Sequence, residues 1–290
     1  MNTLLKRLLI FFIGIPAVVA LVMFLPFQRH LSLNIAVVIF SSIGAVEFSQ
    51  MLEKKNMRVS KIEGFILGAL APAALTLNIC FNLPEWIIPL FIMAASCWAL
   101  LSHAFSRLEK MEAVTNHLAA CLSILIYPGF FLYWIVKMTA WENPGAILLF
   151  LFISFGSDST AWLFGNLFGA NNRGIIAASP NKSIAGFIGG MAGSIIISGG
   201  AALLFPSVFI THGEYASTPG LVAMAVLLGF FTGIAAALGD LAESAVKRSC
   251  GVKDSGNLMP GRGGILDSID SIAVASPVFY LLFYVLFINI

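Results

Sequence analysis

The sequence predicts an all-α, polytopic integral membrane protein of about nine transmembrane helices, N-terminus cytoplasmic, and three observations carry that prediction. The 290-residue chain is 59% apolar and only 10% charged, with mean hydropathy +0.95. Soluble domains have about 45–50% apolar and about 25% charged residues, so too little polar side chain is present to clothe a water-facing surface. Nine apolar stretches approach or exceed the length a helix needs to cross hydrocarbon, where unpaired backbone groups cannot be left. Finally, Lys and Arg alternate between sides: 14 of the 16 fall in termini and loops that share the side of the N-terminus, and only Arg29 and Lys137 fall opposite. Short loops rich in cations stay cytoplasmic.

The stretches run in order as follows. Residues 8–27 follow Lys6-Arg7 and are long for the core of a cleaved leader, so they fit a retained anchor better than a leader. Residues 31–52 end at the basic loop Lys54, Lys55, Arg58 and Lys61, which sets topology and touches anionic headgroups. Residues 64–82, 86–105 and 118–138 contain Pro72, Pro89 and Pro128, which mark kinks or close contacts rather than breaks. Arg107 and Lys110 hold the loop between the last two on the inner side. Residues 145–168 carry Gly156, 184–205 follow a loop with Arg173 and Lys182, and 220–246 carry Gly229 and Gly233. Residues 266–289 complete the set. Without a convincing internal repeat or a long linker, 1–290 reads as one membrane domain: 1–150 an N-terminal helical part, 151–290 the half that places carboxylates in or beside apolar runs.

Net charge is +2, too weak a field to suggest nucleic acid. Cys80, Cys97, Cys121 and Cys250 are widely spaced and give neither a disulfide framework nor a metal knuckle. His30, His103, His117 and His212 are scattered, so no His/Cys cluster argues for zinc and none receives a catalytic role.

Chemistry is expected where charge enters the apolar runs. Glu47, Asp158, Asp240, Glu243, Asp267 and Asp270 fall inside or at the end of a span, and an ionised carboxylate there faces a polar cavity, a partner or a metal. Glu47 reads as a buried interface residue or one that snorkels to the basic loop after it. Asp240, Glu243, Ser244 and Lys247 are spaced to form one polar stripe on a helix, and Asp267, Asp270 and Ser271 repeat that spacing. The joining loop holds Lys247, Arg248, Gly251, Lys253, Gly256, Arg262, Gly263 and Gly264. Glycine amides approach an oxyanion closely and Lys or Arg neutralises phosphate, so these are the parts of a phosphate site. Ser179, Lys182 and Ser183, followed by Gly186, Gly189 and Gly190, form a second such set. Neither has the spacing of a nucleotide-binding P-loop. Carboxylates beside phosphate loops select a hard divalent ion, Mg²⁺, with Asp267 and Asp270 the first ligands and Asp240 and Asp158 following.

The run from Ser244 to Ser271, with Lys247-Arg248, Lys253-Asp254, Pro260-Gly-Arg262-Gly263-Gly264 and Asp267-Ser268-Ile-Asp270, resembles the signature of the phosphatidate cytidylyltransferases. Ser179-Pro180-Asn-Lys182-Ser183 is similar to that family's Ser-Pro-x-Lys-Thr segment, and Asp158 with Gly165 and Gly169 to its preceding helix. Three positions depart from the pattern: Arg262 stands for a His, Ser268 for the Arg between the aspartates, and Ala185 for a Glu. The first two read as a compensating exchange, one cation lost and one gained.

The resemblance implies that CTP and phosphatidate give CDP-diacylglycerol and pyrophosphate, with Mg²⁺, in the inner (plasma) membrane at its cytoplasmic face. It also implies a homodimer. By it, Asp240, Lys247, Arg248, Asp267 and Asp270 are catalytic, and Ser179, Lys182, Ser183, Lys253, Arg262, Gly263 and Gly264 hold substrate phosphate. The competing classes are a transporter, which would place its polar groups near the midplane, and a divergent relative acting on another lipid phosphate or nucleotide.

Overall fold

The computed structural model describes residues 14–102, 114–209, 218–259 and 261–288. Lys6, Arg7, the start of the first expected span, His103, Arg107, Lys110, His212 and Pro260 lie outside the described residues. The chain divides into two compact units, 1–140 with 247–269, and 141–246 with 270–290.

In the first unit lie α1 (Ile15–Phe24), α2 (Phe27–Glu53), α3 (Lys61–Phe81), α4 (Ile87–Leu101), α5 (Val114–Ile124) and α6 (Phe131–Met138). Within α2, Gln28, Arg29 and His30 have left-handed backbone angles (φ 48, 53 and 59), so the regular right-handed helix begins beyond His30, where the apolar stretch was expected to start. Ser60 caps α3 by accepting the Glu63 N–H at 3.2 Å, and Asn82 in the left-handed region ends it. Pro128 sits in a π turn (Leu125–Phe130) that joins α5 to α6, because a proline cannot donate to the helical ladder. The Ser41 hydroxyl lies 2.6 Å from the carbonyl oxygens of both Gly68 and Pro128, and the first of these has no helical donor because position 72 is a proline. A Cβ on Gly68 would run into Ala45 and the Ser41 carbonyl, so this glycine sets how closely α3 lies on α2.

The second unit holds α7 (Pro144–Phe168), α8 (Ile184–Leu204), most of α9 (Thr218–Ser249) and most of α10 (Leu266–Phe283). Asn143 caps α7 by accepting the Ala146 N–H at 3.1 Å, with Pro144 at the first helical position. Gly186, Gly189, Gly190 and Gly193 of α8 lie against Ser157, Thr160, Ala161 and Phe164 of α7 too closely to admit a larger residue at Gly189 or Gly193. Trp141 stacks on Tyr280 and Phe283, with ring centroids 4.7 and 5.0 Å apart, and Phe150 packs on Phe279.

Seven described helical segments are long and apolar enough to cross a membrane: Phe27–Glu53, Lys61–Phe81, Val114–Trp141, Pro144–Phe168, Ile184–Leu204, Pro219–Ser249 and Leu266–Ile288. These match seven of the nine expected stretches. At the other two, the described helices are Ile15–Phe24, of 10 residues, and Ile87–Leu101, of 15. No strand occurs among the described residues; two isolated bridges pair Arg173 with Ser183 and Met259 with Gly263. The chain is therefore an all-α protein of the membrane type. At 1.5 Å per residue α9 is about 48 Å long, well beyond the roughly 30 Å of hydrocarbon, so its 32 residues need not all lie in the apolar layer.

Candidate active site

Each unit carries one group of expected site residues. In the second unit, Asp158 comes from α7, Lys182 from the turn before α8, Asp240, Glu243 and Ser244 from α9, and Asp270 and Ser271 from α10. A Cβ on Gly239 would strike the Asp270 carbonyl, so the glycine lets α9 approach α10 and sets Asp240 beside Asp270. Asp270 is buried among carboxylates: Asp158, Asp240 and Glu243 all lie close enough to act on its charge. The Ser271 hydroxyl stands between two of them, 3.2 Å from Asp158 Oδ2 and 3.2 Å from Asp270 Oδ1. Ser271 also donates its N–H to Asp270 Oδ1 at 2.6 Å.

Lys182 Nζ reaches Asp240 Oδ2 at 2.5 Å, with the two side chains 24% and 33% exposed. The turn that delivers it is tightly specified. Lys182 donates its N–H to the Ser179 carbonyl at 3.1 Å, and Gly174, with φ +83, donates to the Pro180 carbonyl at 2.9 Å. Ser183 is buried and its hydroxyl accepts the Gly186 N–H at 3.0 Å, so it caps α8. Where the family pattern has a Glu, Ala185 instead directs its N–H to Asn172 Oδ1 at 3.4 Å.

In the first unit the loop between α9 and α10 closes around two carboxylates. Lys247 Nζ meets Asp267 Oδ1 at 2.6 Å, both side chains largely buried. Asp267 Oδ2 accepts the Ser255 N–H at 2.9 Å and the Gly264 N–H at 2.7 Å, with the Ser255 hydroxyl also 2.9 Å away. Glu47, buried at 4% exposure, accepts the N–H of Ile265 at 3.1 Å and of Leu266 at 2.9 Å. Its Oε2 lies 3.1 Å from the Ser255 hydroxyl. The glycines fit this interior: side chains on Gly256 or Gly264 would run into Glu47, and one on Gly263, with φ +113, into Asp267. Their amides serve the loop, Gly263 donating to the Met259 carbonyl at 3.1 Å and Gly264 to Asp267. Lys253 and Arg262 stand exposed on the same loop, and Arg248 stands exposed in the last turn of α9 that leads into it.

Donor chemistry decides which group suits a hard divalent ion. Asp158, Asp240 and Asp270 bring like charges together in a partly buried place with Ser271 among them, and oxygen donors of that kind fit Mg²⁺. Asp267 differs, because Lys247 occupies one of its oxygens and backbone and hydroxyl donors surround the other.

Sequence reasoning missed two features. Glu47 is buried, as one of its two readings expected, and does not turn to the basic loop Lys54–Lys61; the missed feature is that it holds the loop that precedes α10. The expectation that no His and Cys come together is corrected too. His117 and Cys121, four apart on α5, share a helix face and meet Glu63 of α3. The four-residue spacing within a span was the signal available.

Comparison with known proteins places the chain in a class. The cytidylyltransferase family matches residues 5–286, and the chain belongs to that family. It is 29% identical over 269 residues to a phosphatidate cytidylyltransferase of Staphylococcus saprophyticus, covering 92% of this chain and 96% of the relative. Proteins of the same name from Staphylococcus epidermidis and Staphylococcus aureus are 29% identical over 267 residues, again covering 92% of this chain and 96% of each.

Proposed function

We propose that this protein is a phosphatidate cytidylyltransferase that converts CTP and phosphatidate to CDP-diacylglycerol and pyrophosphate for phospholipid synthesis. The observation that carries the reading is the partly buried group of Asp158, Asp240 and Asp270 with Lys182, on a chain matched almost end to end by proteins of that name. A phosphatidate phosphate is already ionised near neutral pH. One of its oxygens forms a bond to the α-phosphorus of CTP while the bond from that phosphorus to the bridging oxygen of the β-phosphate breaks, releasing pyrophosphate. No side chain need remove a proton, so catalysis is positioning and charge neutralisation.

In this reading Asp158, Asp240 and Asp270 would hold Mg²⁺, which supplies charge neutralisation at the triphosphate. Lys182 is anchored by Asp240 and presents its ammonium to a phosphate. Arg248, Lys253 and Arg262 contribute cations to substrate phosphates, and Lys247 with Asp267 keeps their loop in shape. Ser179 and Ser183 shape the turn that carries Lys182, and Gly263 and Gly264 the loop that carries Arg262. Nine spans, a cytoplasmic N-terminus, a reaction at the cytoplasmic face of the plasma membrane and a homodimer belong to the same reading. The cation asymmetry supports the orientation.

The test is transfer of label from CTP into lipid by purified protein in detergent with phosphatidate and Mg²⁺. Turnover is expected to vanish in Asp270→Asn and on chelation, and to fall in Asp158→Asn and Asp240→Asn. Folded protein without turnover, or full activity in Asp270→Asn, would overturn it.

A further inference from the structure

The geometry points to a transition-metal site of the zinc class, made by Glu63, His117 and Cys121 in the first unit, apart from the carboxylates proposed for Mg²⁺. One ligand atom from each lies within 4.8 Å of the other two. His117 Nε2 is 3.6 Å from Cys121 Sγ and 3.2 Å from Glu63 Oε1, and Cys121 Sγ is 3.8 Å from the same Glu63 Oε1. Donors that share one tetrahedral Zn²⁺, at about 2.3 Å for sulfur and about 2.0–2.1 Å for nitrogen and oxygen, stand roughly 3.3–3.6 Å from one another. The three side chains therefore need only small shifts to close on an ion.

The surroundings are those of a built site. Cys121 is 1% exposed and His117 7%, so thiol and imidazole face the helix packing and not lipid. Glu63 follows Ser60 at the position of a capping-box carboxylate, which ordinarily turns back to its own helix start. Here that carboxylate crosses to α5 instead and accepts the Trp98 indole N–H at 2.8 Å. A hydrogen bond to a ligating carboxylate is how metal sites orient their ligands, and the indole holds the Glu63 carboxylate in place between α4 and α5. One soft sulfur, one imidazole and one carboxylate select Zn²⁺ or Co²⁺ over Mg²⁺. The Cys121 thiol gives up its proton on binding, and water takes the fourth position. Bound metal would join the N-terminal end of α3 to α5.

Full-length protein in detergent, reduced and stripped with chelator, is titrated with Co²⁺ alone. The expected result is a thiolate-to-cobalt absorption band that saturates at one equivalent, is displaced by Zn²⁺, and is absent from Cys121→Ser and His117→Gln. Glu63→Gln should weaken binding by at least about 10–100-fold, the loss that follows even removal of an outer-shell partner. Zn²⁺ should also shield Cys121 from alkylation while Cys97, which is exposed, still reacts. The variants are expected to elute and melt like the metal-free parent, so that a lost band reports the ligand and not unfolding. No saturable band in the parent, or a band that survives in Cys121→Ser, would overturn the assignment. Because the readout is metal uptake, it stands or falls independently of nucleotide turnover.

Discussion

The carboxylate of Glu47 accepts the N–H of Leu266 at 2.9 Å, so a side chain of α2 caps the start of α10 from 219 residues away. The first amides of a helix have no partner within it, and the positive end of its dipole favours a carboxylate there. Each hydrogen bond to a charged group contributes about 1.5–3 kcal/mol, and Glu47 accepts two from backbone. Glu47→Ala is therefore expected to cost about 3 kcal/mol or more by that scale, and to lower both thermal midpoint and turnover. Glu47→Gln should fall between, since its NH₂ faces donors. A melting curve like the parent's for Glu47→Ala would remove the cap from the account.

Two glycines make a contrasting pair. Gly264→Ala would drive a methyl into Ser255 and Glu47, whereas a Cβ on Gly200 of α8 would meet nothing within 4 Å beyond its own stretch of helix. The first is expected to destabilise the loop and depress activity. The second should be neutral or stabilising by about 0.5–1 kcal/mol, because alanine loses less chain entropy in a helix. Thermal unfolding of the two variants side by side checks both signs.

Lys182 and Asp240 form an ion pair that is partly shielded from water. If Lys182 meets charge that develops at phosphate, Lys182→Gln lowers kcat/KM by about 10²–10³-fold, as loss of one stabilising donor does elsewhere. A double-mutant cycle with Asp240→Asn should show strong coupling. Near-additive losses would mean that the pair does not act as a unit.

Arg262 is exposed on the loop, and Ser268 in the first turn of α10 directs its hydroxyl back to the Gly264 carbonyl at 3.3 Å. If one cation has been exchanged for another, Arg262→His impairs turnover and the added Ser268→Arg restores it. A harmless single change would sink the exchange.

Much of the candidate site was legible because its signals are local. Asp240 and Glu243, and Asp267 and Asp270, fall three residues apart, a spacing that puts each pair on one helix face wherever the helices lie. Asp158 stood out as a carboxylate inside an apolar run and Lys182 as the cation of a turn followed by glycines, and the resemblance to a family motif added to both. The purpose of Gly263 and Gly264 was not, because a glycine that approaches phosphate and one that makes room for Asp267 look alike in sequence.

The sequence by itself determined that the chain is helical, that most of it is solvated by lipid, and which stretches supply spans. Hydropathy and helical period are properties of neighbouring residues, and the bilayer enforces them segment by segment. Only the tertiary structure decided that Glu47 holds the loop before α10, that Asp267 is committed to Lys247 and Ser255, and that Glu63 meets His117 and Cys121. Glu47 and Leu266 are 219 positions apart and Glu63 and Cys121 are 58 apart. A buried polar group must find a partner, yet which one it finds depends on how helices far apart in sequence pack, and no local pattern records that.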